Sequence, residues 1–145
     1  MEEHWSHKPK DESSNLSATI MKPILDRVKR ALSASRSLVK PKHDVYDHPL
    51  SGMCYIASEA YYHLEGKKLG YKPKRATYKS ISHWWLEHPN GLILDLTAAQ
   101  FPFKFPYKLG KWTAFLTKQP SKRTKQIIAL VIGMADMTDL ESVAN

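Results

Sequence analysis

Pro89-Asn90-Gly91 stands between two short runs rich in apolar and aromatic residues, Ser82–His88 and Leu92–Thr97. Proline suits the first position of a turn, and glycine the left-handed position that closes a three-residue hairpin loop with a bulge. That loop opposes His88 to Leu92, and the same register opposes Leu86 to Leu94. Trp84, Leu86, Leu92, Leu94 and Leu96 then share one face, a continuous apolar surface. The other face receives His83, Trp85, Glu87, Ile93, Asp95 and Thr97. A two-residue Asn-Gly turn would slip the register by one and bring Asp95 among the core residues. An unpaired carboxylate there costs several kcal/mol or is forced to protonate, which disfavours the slip. In the favoured register Thr97 opposes His83, and Asp95 is its diagonal neighbour, about 7 Å away at the backbone. The hairpin therefore predicts a contact between His83 and Asp95.

The rest of the 145-residue chain is enough for one domain. Met1 to Asn15 is polar, without apolar periodicity, and reads as a tail outside the core, leaving residues 16–145 as a single domain. Ile24, Leu25, Val28, Ala31 and Leu32 make one stripe of a helix over Lys22–Ser37, with Pro23 at its first position. A second helix is expected over Cys54–Leu64, with Ser51 as its cap and Gly66 as its stop. Arg75–Lys79 reads as a short strand, Gln100–Gly110 as a packed aromatic loop, and Trp112–Leu116 as a further strand. Ile127, Ile128, Leu130, Val131 and Met134 would bury a last helix from Ser121 to Met134. Helices and a small antiparallel sheet in separate runs make an α+β fold.

Composition narrows the function classes. No run is apolar enough to span a bilayer, no secretory leader is present, and a cytoplasmic protein with no membrane partner is expected. The net charge of +8 favours anionic partners, with the densest basic patch at Lys118–Lys125. Such a surface equally keeps an ordinary basic domain soluble, and nucleic acid is the minor reading. No zinc-finger, basic-zipper or RNP pattern is present, and the aromatics do not interleave with the cations as a stacking platform requires. His43, Asp44, Asp47 and His48 crowd one loop without forming a metal-coordination pattern, so no metal is assigned. Glu59 and His63 lie four residues apart and read as a helix surface pair.

The single cysteine excludes an internal disulfide. Its position gives it a possible chemistry. A catalytic thiol needs a depressed pKa, a base or cation beside it and fixed geometry. Cys54 at a helix N-terminus has unpaired N–H groups and the helix dipole to favour thiolate. His83 can serve as the base and Asp95 can orient it, while the Cys54 N–H is one oxyanion donor. Cys54, His83 and Asp95 are thus the catalytic candidates.

Gly52-Met53-Cys54-Tyr55 at a helix start resembles the G-x-C-aromatic element of the transglutaminase-like branch of papain-fold enzymes. His83-Trp84-Trp85, a turn and Leu94-Asp95-Leu96-Thr97 resemble that branch's His strand and Asp-Pro-Thr strand, with Leu96 where proline is usual. The likeness spans about Leu50 to Phe101, and the segment is also similar to small phage and mobile-element proteins. It implies a helix carrying the nucleophile, packed on an antiparallel sheet that carries His and Asp. It also implies acyl transfer or hydrolysis at an amide-type bond of a protein or other substrate, by peptidase, deamidase or transferase chemistry with no cofactor. A bacterial host's cytoplasm would be the setting for a phage-encoded chain. The second oxyanion donor has candidates in Gln100, Tyr46 and Ser51, and Trp85 is a candidate wall. The rival expectation is a non-catalytic protein that occupies nucleic acid or a host protein through Lys122, Arg123 and Lys125.

Overall fold

The computed structural model describes residues 5–6, 12–39, 48 and 50–144, with side chains over 23–39, 48 and 50–134. In chain order the elements are β1 (Trp5–Ser6), α1 (Glu12–Ser33), α2 (Cys54–Tyr61), β2 (Lys72–Tyr78), β3 (Ile81–Glu87), β4 (Ile93–Leu94), β5 (Lys111–Trp112) and α3 (Lys122–Ala144). The strands form one antiparallel sheet in the order β1-β4-β3-β2-β5. The fold is α+β, as the element pattern implies.

The hairpin register holds. Leu86 opposes Leu94 and Glu87 opposes Ile93. The His88 N–H donates to the Leu92 carbonyl at 2.8 Å, and Gly91 takes a φ of 97°. Asn90 accepts the Leu92 N–H on its side-chain oxygen at 3.0 Å, an added brace for the loop. The second arm is shorter than expected. After Leu94 the chain leaves the ladder and turns through Ala98–Gln100, so Thr97 does not pair with His83.

Alternation along the hairpin sorts side chains into two clusters. Leu86, Leu94 and Leu96 join Leu25, Val28, Leu32, Met53, Ile56, Tyr61, Ile127 and Val131 in the main core beneath the three helices. Trp85 and Ile93 point the other way, into a smaller cluster with Ala76, Phe101 and Phe105. That second face is covered by the irregular segment from 98 to 110, the aromatic loop read from the sequence.

Several expectations need correction. Pro23 lies inside α1, not at its start, because no Gly or Pro between Glu12 and Lys22 stops the helix from extending upstream. Residues 5–6 pair with β4 and α1 begins at Glu12, while the rest of the expected tail, 1–4 and 7–11, lies outside the described residues. Ser51 does not cap α2. Met53 holds that position, and Ser51 sits in the preceding turn, where its N–H donates to the His48 carbonyl and its own carbonyl accepts from Arg36 Nη1 at 2.8 Å. The second helix continues past Tyr61 as a wide turn over Tyr62–Gly66, where the Lys67 N–H reaches back to the Tyr62 carbonyl. Leu130 is exposed, since Ile127 and Val131, four residues apart, already define the buried stripe of α3.

Glu59 departs most from its reading as a surface residue. It is fully buried, and its Oε1 accepts from the Ser121 N–H at 3.0 Å and the Thr124 hydroxyl at 2.6 Å. The carboxylate of α2 thereby satisfies donors at the start of α3, where the helix dipole favours negative charge. Sequence spacing could not show this, because its partners lie some sixty residues away.

Candidate functional site

Cys54 is the first residue of α2, partly exposed, with no acidic residue in that first turn to oppose a thiolate. Its Sγ lies 3.9 Å from the Ser82 carbonyl oxygen, which places it at the start of β3, one residue before His83. His83 is almost fully buried. Its Nε2 meets Asp95 Oδ2 at 2.6 Å, so the contact expected from the hairpin is present. The Cys54 thiol is close enough to the imidazole to favour its protonated form. With Nε2 committed to Asp95, the nitrogen left for the thiol is Nδ1.

Asp95 is held by four donors. His83 and the Tyr107 hydroxyl, the latter at 2.7 Å, bind Oδ2. The Thr97 N–H at 3.2 Å and the Thr97 hydroxyl at 3.4 Å bind Oδ1. Gln100 Nε2 donates to Thr97 Oγ1 at 3.1 Å, so Gln100 sits on the Asp95 side and supports it through Thr97. One of the two N–H groups of its amide is thereby engaged on the Asp95 side. Ser51 is buried in the turn before α2, and Tyr46 lies outside the described residues.

The electrostatics follow from this geometry. Burial alone would push the imidazole below its ordinary value. The charge and hydrogen bond of Asp95 outweigh that, Cys54 adds to the effect, and His83 is pushed up to about 10. At neutral pH the ring therefore carries its proton. Burial, and then the neighbouring charge of Asp95, push the Tyr107 phenol far above its usual range, which keeps it a donor.

Aromatic rings enclose the pair. Trp85, the candidate wall, is fully buried and stacks on His83 with centroids 5.7 Å apart. Phe101 approaches edge-on at 4.7 Å and Phe105 at 4.8 Å. Gly110 lies so close to Trp85 that an added Cβ would sit 2.3 Å from the indole ring. Tyr107, Phe101 and Phe105 were not singled out by sequence reasoning. The signal was a Tyr within a Phe- and Pro-rich stretch soon after the strand Asp, but nothing local fixes where such a loop folds back.

Among the other marked residues, His48 accepts the Leu50 N–H on Nδ1 at 3.0 Å, whereas His43, Asp44 and Asp47 lie outside the described residues. Among the described residues no helix is long and apolar enough to cross a membrane. Comparison with known proteins assigns no family: no family model, curated protein or solved structure matches the chain.

Proposed function

We propose that this protein is a thiol enzyme of transglutaminase-like or papain-like design that hydrolyses or exchanges an amide-type bond. One arrangement carries the reading. Cys54, partly exposed at the start of α2, has its Sγ 3.9 Å from the carbonyl of Ser82, next in sequence to His83. The His83 ring is in turn held by a carboxylate fixed by four donors. An imidazole that is buried, protonated and anchored is what stabilises a neighbouring thiolate. Cys54 Sγ attacks the substrate carbonyl carbon. The carbon–nitrogen bond then breaks and the leaving amine takes the proton held by His83. A thioester remains on Cys54. Water or a second amine attacks it, gives its proton to His83, and releases the thiolate. Asp95 keeps the imidazole oriented and the imidazolium stabilised throughout. Because His83 already holds the proton at rest, it acts first as the acid, rather than first accepting a proton from the thiol.

The test is the rate of Cys54 alkylation by iodoacetamide from pH 4 to 9, in the wild type and in His83→Ala. The expected wild-type thiol reacts well below the free-cysteine pKa of about 8.5, and the variant loses that low-pH reactivity. An ordinary profile, indifferent to His83, would sink the reading and favour a binding protein instead. For that rival, Arg123 is already partly engaged, since its Nη1 donates to the Leu38 carbonyl at 3.0 Å.

A further inference from the structure

A second concavity, of about 750 Å³, lies apart from the Cys54–His83–Asp95 cluster and contains none of its residues. Its walls come from three places: the wide turn after α2 (Tyr62, His63, Lys67), the sheet edge (Lys72, Pro73, Trp112, Thr113) and the segment from Ala114 to Gln119. The volume is within the range of about 300–1,000 Å³ typical of small-molecule sites.

The lining has a definite chemistry. Lys67, Lys72 and Lys118 contribute three exposed cations, and no Asp or Glu lines the groove. Among the described residues none of the three lysines has a carboxylate at ion-pair distance. The neighbouring Lys74 differs, being paired with Glu87 at 2.8 Å. Three cations lining one concavity without a carboxylate in direct contact give it a positive potential that attracts an anion.

The apolar part is aromatic. Trp112 is half exposed, with Lys74 Nζ 4.4 Å from its ring centroid. Phe115 is braced by stacking on Trp84 at 5.7 Å and by edge contacts with Tyr55 and Tyr62. Rigid aromatic walls of this kind offer contact area at little entropic cost. His63 completes the wall, and its Nε2 is a buried ring nitrogen with no hydrogen-bond partner among the described residues. An unpaired buried nitrogen is unfavourable, and a ligand donor or acceptor in the groove would relieve it.

We infer that this groove binds a small organic anion, a planar ring bearing a phosphate-like group, with the anionic group on Lys67, Lys72 and Lys118 and the ring against Trp112. The site is independent of the thiol chemistry.

The test uses 15N-labelled full-length protein titrated with AMP and with 1-naphthyl phosphate, each compared with its phosphate-free form and with inorganic phosphate. Both ring phosphates should bind about tenfold more tightly than either part alone. Amide shifts should be confined to 62–67, 72 and 112–119. The double variant Lys72→Glu, Lys118→Glu should weaken both ligands about tenfold or more. Trp112→Ala should weaken them while leaving inorganic phosphate unchanged, with retained amide dispersion showing that each variant is folded. The inference is overturned if neither ring phosphate binds at millimolar concentration, or if inorganic phosphate binds as tightly as they do. Shifts centred on Lys122–Lys125 would overturn it too, because they would mark diffuse attraction to a basic helix.

Discussion

Leu86, Leu94 and Leu96 on one face of the β3–β4 hairpin lie beneath three helices, whereas His83, Trp85 and Ile93 on the other lie beneath an irregular loop. Both faces are buried, but by different means. The first is a mainly aliphatic core, joined by Tyr61 and Tyr71, in which shape matters more than chemistry. The second surrounds an ion pair with rings, and the polar groups at its centre, His83, Asp95, Thr97, Gln100 and Tyr107, form one hydrogen-bonded set. Hydrophobic area accounts for the first. For the second, the desolvation of His83 and Asp95 must be offset by geometry, through four donors on one carboxylate. A fold does not need that arrangement to be stable, which is why the second face is the one read as a site.

The largest effects should separate the faces directly. Leu86→Ala removes a fully buried side chain from the helix-covered core and should cost about 2–5 kcal/mol. Asp95→Ala leaves a buried imidazole without its counter-charge and should cost about 3–5 kcal/mol. Urea denaturation would therefore rank them alike. Cys54 alkylation below pH 7 should not: Leu86→Ala keeps the wild-type profile while still folded, and Asp95→Ala loses it. If both variants lose it, the two faces are not chemically distinct.

A pH series sharpens the contrast further. The folded-state pKa of His83 is raised to about 10, above its ordinary value of 6.5. Its contribution to stability is thus full below about pH 6.5 and is lost as pH rises through about 10. The urea midpoint of the wild type should fall between pH 6 and pH 10 by more than that of His83→Gln. The difference between the two proteins cancels the lysines and tyrosines that titrate in both. Equal falls would mean that the imidazole is not held protonated.

A smaller effect tests how tightly the loop is fitted. A Cβ on Gly110 would stand 2.3 Å and 2.6 Å from Trp85 ring atoms and 3.1 Å from the Tyr107 carbonyl oxygen. Gly110→Ala should cost about 1–3 kcal/mol through overpacking. Because Trp85 stacks on His83, the variant should also slow low-pH alkylation. A variant as stable and as reactive as the wild type would show that the loop is a loose cover.

The same contrast explains what the sequence made legible. The hairpin register up to Leu94, the two faces of that paired part and the His83–Asp95 contact followed from alternation and one turn, because those are local rules with a period of two. The expected pairing of Thr97 with His83 lies beyond the end of the ladder. The start of α2 at Cys54 was legible for a similar reason, a helical stripe beginning after Gly52. The loop's contribution was not. Tyr107 reaches Asp95 from twelve residues away along an irregular path that has no period to count. Glu59 was misread because its partners, Ser121 and Thr124, arrive on another helix. Leu130 was misplaced because it stands in an unbroken apolar run, Ile127 to Ile132, which could not tell which residues face inward.

Tyr107→Phe is the finest probe of the loop-covered face. It keeps the ring against Trp85 and removes only the donor to Asp95 Oδ2. Loss of one such bond should cost about 1 kcal/mol, since the carboxylate keeps its three other donors. Its chemical effect has a definite sign. The phenol and the imidazole share one oxygen, so the hydroxyl withdraws some of the negative charge that His83 feels. Without it, Asp95 holds the imidazolium more firmly and the pKa of His83 rises. The high-pH loss of stability assigned to His83 should then move upward in Tyr107→Phe, while Leu86→Ala leaves it in place. A downward move would mean that Tyr107 serves chiefly to aim the carboxylate, and that the hold on His83 loosens when the aim is lost.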